Sequence, residues 1–216
     1  MSHVTRSLIA AAAAGTILFT AACSSDSEAS GDTTETTAGA RSVIEPGEDN
    51  PMIAQGVEIS GDATVYKTSG IGGTAMNDAA ATGTPESYID TEEFPGGTLP
   101  PGVTVTEAQG INVLKKIRDN LEQEGYTLED VVTMRVFLDN APGTDIADYA
   151  GWNRAYRQFF ANTNLDTDET ELVPLGSAEP AAPLERNSAR PSRFALEVAS
   201  LPVPGWLVEV EVDAVK

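Results

Sequence analysis

The last two predicted strands of the chain bring an arginine together with several carboxylates. In residues 193–200 one face is apolar, and the other carries Arg193, Ala195 and Glu197. In residues 206–215 one face is again apolar, and the other carries Leu207, Glu209, Glu211 and Asp213. Because successive side chains of a strand point to opposite faces, we expect both apolar sets to pack beneath helices and both polar sets to share the other face.

That shared polar face can do chemistry of two kinds. Carboxylates that are crowded together away from water have raised pKa values, which suits them to transferring protons. An arginine guanidinium offers a planar fork of N–H donors that matches the carboxylate of a substrate. The alternative is a solvated sheet face on which Arg193 pairs with a glutamate, and the residues by themselves favour this alternative.

The composition removes several other kinds of chemistry. The only histidine is His3 and the only cysteine is Cys23. A chain processed at Cys23 therefore has no histidine for a catalytic triad, for general acid–base catalysis or for zinc binding, and it cannot form an intrachain disulfide. The acidic stretch 166–171 lacks the ligand spacing of a calcium-binding loop, so no metal is expected. The formal net charge of −20 argues against binding of nucleic acid.

Residues 1–22 have the pattern of a secretory signal peptide, because Arg6 precedes a short apolar run that ends in small residues. The run leads into Cys23 through the letters TAAC, which resemble the lipobox of bacterial lipoproteins. We therefore expect Cys23 to be lipidated and the protein to be anchored at the extracytoplasmic face of the cell membrane. The alternative is an ordinary cleaved signal with an incidental cysteine. Residues 23–50 then form an acidic linker, and residues 51–216 form one domain.

The domain contains two predicted helices and five predicted strands. Apolar residues at helical spacing predict helices over residues 106–124 and 145–161. The predicted strands cover residues 57–60, 64–70, 131–138, 193–200 and 206–215, and a tight turn joins the first two. The order β-β-α-β-α-β-β predicts an α+β sandwich. Residues 75–101 and 164–192 are predicted to be long loops, which are either functional or disordered.

Four segments occur in order along the domain: LEQEGYTLEDVVTMRVFLDN, YAGWNRAYRQFF, RPSRFALEVASLP and LVEVEVDAV. Together they resemble the YjgF/RidA family of reactive-intermediate deaminases, and the similarity extends to QGVEIS and YKTSG near the start of the domain. The resemblance covers most of residues 55–215 and is most specific in the C-terminal part.

The resemblance implies a chorismate-mutase-like α+β fold, a homotrimer with clefts between subunits, and hydrolysis of imines or enamines of 2-amino acids to 2-keto acids and ammonia. By motif position, Arg193 would hold the substrate carboxylate and Glu211 would position or activate water. Ser69 and the backbone of Val198 and Ala199 would complete the pocket. The resemblance implies no metal and no organic cofactor.

The chain departs from the family pattern in two respects. Ile53 stands where the family has a pocket tyrosine, and both long loops exceed the compact family pattern. Arg186 and Arg190 lie just before Arg193 and are either further anion contacts or solubilising loop residues, of which the second is favoured. Three functions stay open: an imine or enamine deaminase, a non-catalytic extracytoplasmic binding protein for a small carboxylate, and a trimeric interaction module.

Overall fold

The computed structural model describes residues 39–216, so the predicted signal peptide, Cys23 and most of the predicted linker lie outside the described residues. One mixed sheet dominates this part of the chain. Its strands are β3 (Val65–Lys67), β4 (Ile71–Gly72), β5 (Val131–Leu138), β6 (Ser192–Glu197) and β7 (Val208–Val215). Four of them lie in the order β3-β7-β5-β6, and the short β4 also pairs with β7. The strands β5 and β6 are parallel, and the other pairs are antiparallel.

Two helices, α1 (Val105–Gln123) and α2 (Tyr149–Arg157), pack on one face of this sheet. The alternate residues of β7 that face them are fully buried, namely Val208, Val210, Val212 and Ala214. Gly110 allows a close helix crossing, because a Cβ at this position would lie 2.7 Å from the Cβ of Ala155. Neither helix within residues 39–216 combines the length and the apolar character that a membrane span requires.

The two helices begin at side chains that contact each other. The hydroxyl of Thr104 accepts a hydrogen bond from Glu107 N at the start of α1, and it donates to Asp148 at 2.5 Å. Asp148 in turn accepts from Gly151 N at the start of α2. Because an N-cap fixes where a helix begins, α2 starts at Tyr149 and leaves Ile146 outside, 64% exposed. The observed α2 ends at Arg157, so it is shorter at both ends than the helix predicted over residues 145–161.

The predicted α+β sandwich is confirmed. The helix predicted over residues 106–124 lies within one residue of α1 at each end, and the strand predicted over residues 131–138 is β5. Both helices were recognisable because one stripe of each is buried in the common core.

The predicted hairpin of residues 57–60 and 64–70 is wrong. β2 (Gly56–Ile59) pairs with β1 (Ala40–Val43) in a separate antiparallel ribbon, whereas β3 pairs with β7. The ribbon packs on the sheet through Ala40, which lies in one buried cluster with Val132 and Val215. The first strand of the fold thus lies inside the range 23–50 that the sequence assigned to the linker.

The loop predicted over residues 75–101 is packed against α1. It contains two short 3₁₀ turns, Pro85–Tyr88 and Pro95–Gly97. Between them Asp90 is 2% exposed and accepts a hydrogen bond at 2.8 Å from Lys115 of α1. Burial alone raises the pKa of Asp90, but the hydrogen bond and the charge of Lys115 outweigh it and lower that pKa. The loop is therefore held to the helix by a part-buried ion pair between Asp90 and Lys115.

The face assignment of β6 is also wrong. The register pairs Arg193 with Met134 and Phe194 with Arg135, and paired residues of parallel strands point to the same face. Since Met134 is fully buried beneath the helices, Arg193 lies on the helix side of the sheet. Phe194 and Leu196 lie on the other face, where they are 45% and 51% exposed.

Candidate functional site

Arg193 is held on an aromatic platform at the start of β6. Its Cζ lies 4.2 Å from the ring centroid of Tyr156 in α2, and its Nη2 donates to the side-chain oxygen of Asn153 at 2.8 Å. A cation stacked on an aromatic ring is stabilised by the ring quadrupole, which explains why an arginine is tolerated on the core side of an edge strand. Burial lowers the pKa of the guanidinium, and the neighbouring Tyr156 opposes that shift.

The guanidinium of Arg193 is incompletely paired. Its Nη1 is buried and has no hydrogen-bond partner among the described residues. None of the salt bridges found within residues 39–216 involves Arg193. A buried N–H of a charged group without an acceptor costs roughly 1–3 kcal/mol or more, so within the described residues the guanidinium of Arg193 lacks both a counter-charge and a full set of acceptors.

The platform itself is fixed by its own contacts. Tyr156 is fully buried, stacks on Phe160 with ring centroids 5.4 Å apart, and donates its hydroxyl to Met52 O at 2.8 Å. Burial raises the pKa of Tyr156 well above its usual range, although nearby arginines oppose the shift. The phenol is therefore neutral and serves as a support. Ile53, the residue in place of the family's pocket tyrosine, packs part-buried against the core.

Arg190 anchors the segment that leads into Arg193. It is 2% exposed and donates to Pro51 O at 3.0 Å, to the Asn50 side-chain oxygen at 2.6 Å and to Thr163 O at 2.7 Å. Burial lowers its pKa to about 10. Arg190 is thus a structural residue, and the expectation that it solubilises the loop is wrong. Arg186 is exposed and pairs with Asp168.

Glu211 lies on the opposite face of the sheet from Arg193. It is paired in register with Arg135, whose Nε lies 3.5 Å from a Glu211 carboxylate oxygen. Arg135 also binds Asp213 at 2.7 Å, and Asp213 accepts from Lys67 at 2.6 Å. The polar face predicted from alternation exists, but its arginine is Arg135. Arg135 was missed, although its place between the apolar Met134 and Val136 was a signal for it.

Ser69 and the backbone groups predicted to complete the pocket lie apart from Arg193. Ser69 is exposed and joins β3 to β4, next to Thr68, whose hydroxyl accepts from Val212 N at 3.0 Å. Its neighbour Gly70 packs directly against the carboxylate of Glu209. Val198 N is already bonded to Leu138 O at 2.8 Å. Val198 and Ala199 lie five and six residues beyond Arg193, which is roughly 16–20 Å along a strand.

One chain therefore does not assemble the predicted set around a single point. Arg193 lies on the helix side, Glu211 lies on the outer face, and Val198 lies beyond the far end of β6. Within residues 39–216 no group of three or more His, Cys, Asp or Glu side chains is placed to hold a metal ion.

Comparison with known proteins gives a consistent family relationship. The family model described as endoribonuclease L-PSP matches residues 97–216, which is more than half of the chain. No curated protein matches the sequence significantly.

Escherichia coli TdcF with bound serine is 20% identical, with 82% of this chain and 99% of that chain covered and a TM-score of 0.39. A Mycobacterium tuberculosis member of the YjgF/YER057c/UK114 family is 21% identical, with 81% and 98% covered and a TM-score of 0.37. The Rid family protein YyfB of Yersinia pestis is 24% identical, with 82% and 98% covered and a TM-score of 0.39. Because the family model matches more than half of the chain, the chain belongs to the endoribonuclease L-PSP family, also called YjgF/RidA.

Proposed function

We propose that the protein hydrolyses 2-imino acids or their enamine tautomers to 2-keto acids and ammonia. The proposal is supported by family membership and by one observation above all: the buried guanidinium of Arg193 has no carboxylate partner in the described chain and one unpaired N–H. A 2-imino acid carries its carboxylate next to the reacting carbon. Binding of that carboxylate by Arg193 would therefore fix the position of the C=N bond.

The reaction needs only water and proton transfer. Water adds to the imine carbon, its proton passes to a base, and the nitrogen is protonated before it leaves as ammonia while the C=O bond forms. In this scheme Glu211 positions the water and accepts its proton. The scheme balances with water and protons alone, because no electrons are exchanged and no group is passed to a carrier.

The two proposed residues require two copies of the chain. Since Arg193 and Glu211 lie on opposite faces of one sheet, they can act on one substrate only if different subunits supply them. The exposed apolar side chains of Phe194 and Leu196 on the outer face are suited to burial between subunits. Both points favour the homotrimer implied by the family.

A second candidate is a non-catalytic binding protein for a small carboxylate. Two observations favour it: Glu211 is engaged by Arg135, and Ile53 replaces the family's pocket tyrosine. Such a protein would retain Arg193 as the anion contact and would lack the water-activating step.

The decisive experiment supplies imines from an amino-acid oxidase and follows their loss with and without the purified protein. We expect the protein to accelerate imine loss. Arg193→Ala should weaken transition-state binding by about 2–4 kcal/mol, which lowers kcat/KM roughly 30- to 1000-fold. The matched control is Arg118→Ala, which removes a partly exposed arginine of α1. No acceleration with several amino acids would contradict the deaminase proposal. Thermal stabilisation by small carboxylates, lost in Arg193→Ala, would then support the binding protein.

The cellular location is a separate proposal. We propose that Cys23 is lipidated and anchors the domain outside the membrane, on the strength of the signal-peptide pattern that precedes it. Metabolic labelling with a fatty acid tests this directly. Label should be incorporated into the protein and should be lost in Cys23→Ala, and label that persists in Cys23→Ala would exclude the anchor.

A further inference from the structure

A cleft of ≈ 300 Å³ lies beside α2. Its walls come from three parts of the chain: Asn153, Arg154 and Arg157 of α2, Met52, and the segment 172–174. The wall opposite the helix is apolar, and two of its side chains meet solvent, because Leu172 is 62% exposed and Met52 is 40% exposed. The volume is at the lower end of the range for small-molecule sites, so the cleft has room for a side chain or a small ligand.

The cleft adjoins the Arg193 site through two shared residues. Asn153 lines the cleft, and its side-chain oxygen accepts the hydrogen bond from Arg193 Nη2 at 2.8 Å. Met52 also lines the cleft, and its carbonyl oxygen accepts the hydroxyl of Tyr156, the ring on which Arg193 is stacked. The guanidinium and the cleft are thus separated by one side chain, which places both within reach of a single small molecule.

The charges in the helical wall of the cleft are already paired. Arg154 binds Glu107 at 2.8 Å, and Arg157 binds Glu171 at 2.8 Å. Because these charges cancel in pairs, the cleft does not attract a second anion. An apolar group is suited to it, since such a group would cover the exposed side chains of Leu172 and Met52 and remove their apolar surface from water.

Hydrogen bonds hold the apolar wall to the two helices. Glu107 of α1 is fully buried and accepts from Gly176 N at 2.9 Å. Gln158, which follows α2, is 3% exposed and donates to Pro174 O at 3.1 Å. Because these contacts form within the single chain, the cleft is preformed, and this lowers the entropic cost of placing a group in it.

The segment 172–174 belongs to the long loop of residues 164–192, which exceeds the compact pattern of the family. The apolar wall is therefore a feature of this chain that the shared motifs do not specify. In a 2-imino acid only one carbon separates the carboxylate from the side chain. A molecule whose carboxylate is bound at Arg193 consequently has its side chain next to Asn153, at the edge of the cleft.

We infer that the cleft receives the side chain of the molecule bound at Arg193, and that residues 172–174 select molecules with a large apolar side chain. The position of the carboxylate rests on the proposed function, and the substrate class is added to it. That class comprises 2-imino acids derived from amino acids such as leucine or phenylalanine, together with the 2-keto acids that their hydrolysis releases.

The test compares two 2-keto acids by isothermal titration calorimetry of the purified protein. The probes are 4-methyl-2-oxopentanoate and pyruvate, which share the carboxylate and the carbonyl group and differ in the side chain. We expect 4-methyl-2-oxopentanoate to bind at least about tenfold more tightly, because its isobutyl group enters the cleft. The measurement is independent of turnover, since both acids are products of the proposed reaction. Equal affinity for the two acids, or binding of neither, would overturn the inference.

Two matched variants locate the isobutyl group. Leu172→Asn exchanges an apolar wall residue for an uncharged polar one of similar size, and it should weaken 4-methyl-2-oxopentanoate at least about fivefold while changing pyruvate less than about twofold. Leu184→Asn is the control, because Leu184 is 44% exposed in the same loop and does not line the cleft, and it should change neither acid. Undiminished binding of 4-methyl-2-oxopentanoate by Leu172→Asn, or equal losses for both acids, would overturn the inference.

Keto-acid binding and imine hydrolysis together separate this inference from the proposed function. Arg193→Ala should weaken both keto acids, and full affinity of this variant for 4-methyl-2-oxopentanoate would overturn the link between the cleft and Arg193. Imine hydrolysis by a protein that binds the two keto acids equally would leave the proposed function standing without the side-chain pocket. Preference for 4-methyl-2-oxopentanoate in a protein that does not accelerate imine loss would leave the pocket standing while the deaminase proposal fails.

Discussion

Each face of the main sheet carries a part-buried arginine, and the two arginines have different kinds of partner. On the outer face, Arg135 lies among Glu211, Asp213 and Lys67 and is bound to carboxylates. On the helix side, Arg193 lies on the ring of Tyr156, and its one side-chain hydrogen bond within residues 39–216 goes to the amide oxygen of Asn153. Each guanidinium has one buried Nη1 for which the described part of the chain supplies no partner.

The difference lies in how the charge of each arginine is offset. The carboxylates around Arg135 offset its charge within the chain, so an added anion would compete with them and be repelled by them. The charge of Arg193 is offset only by a π system and a neutral amide, so an added carboxylate supplies what the chain does not. The outer face is the more polar of the two, yet the arginine that has no carboxylate partner within residues 39–216 lies on the helix side, which is why the proposed function places the substrate carboxylate there.

Among the changes proposed here, removal of the Tyr156 ring that supports Arg193 should have the largest effect on the free energy of unfolding. Tyr156→Ala deletes a fully buried ring that packs on Phe160 and supports Arg193, so we expect the free energy of unfolding to fall by about 3–5 kcal/mol. Urea denaturation measures the loss. Tyr156→Phe is the control, because it keeps the ring and removes only the hydroxyl bond to Met52 O, which is worth about 1 kcal/mol.

The activity of these two variants tests the role of the ring. Tyr156→Phe should retain imine hydrolysis, since the ring still supports the guanidinium. If Tyr156→Phe loses as much activity as Tyr156→Ala at a temperature where both are folded, the hydroxyl and not the stacked ring would be the functional group.

Part of the fold was predictable from the sequence, because apolar residues recur at the spacing of a helix or a strand. The stripe of α1 and the alternation of β5 and β7 each match one buried face, so their elements and core residues follow from the sequence. β6 has an equally regular alternation, but it is an edge strand, and both of its faces offer partial burial. Its orientation was decided by the parallel register on β5 and by the ring of Tyr156, which are tertiary contacts.

The candidate site was less predictable than the fold. The family resemblance names Arg193 and Glu211 without saying on which face each lies, and a shift of one position along a strand exchanges the two faces. β1 was hidden because residues 40–43 follow an acidic stretch and form a strand only by pairing with β2. The platform under Arg193 was hidden because Tyr156 has the spacing of an ordinary core residue.

Replacement of Arg135 or Arg193 by methionine should change the free energy of unfolding less than Tyr156→Ala does, and the two changes should be unequal. Arg135→Met leaves Asp213, 8% exposed, with Lys67 as its remaining cation, and we expect a loss of about 1–2 kcal/mol in the free energy of unfolding. Arg193→Met removes a cation that has no carboxylate partner, and we expect a change of about 0.5 kcal/mol or less. Arg41→Met, which breaks an exposed pair with Glu58, gives the baseline for a surface arginine. The contrast fails if Arg193→Met is the more destabilising of the two.

The smallest effect on folding is expected at the exposed apolar residues of the outer face. Phe194→Glu should change the free energy of unfolding by less than about 0.5 kcal/mol, because the side chain is 45% exposed in the single chain. If this face is buried between subunits, the same change places a charge in an apolar contact and should dissociate the assembly, which light scattering after size-exclusion chromatography measures. Leu184→Glu is a matched control at 44% exposure outside the sheet, and it should leave the mass unchanged. An unchanged mass for Phe194→Glu would mean that the outer face stays in water, and Glu211 could not then reach the substrate of a neighbouring Arg193.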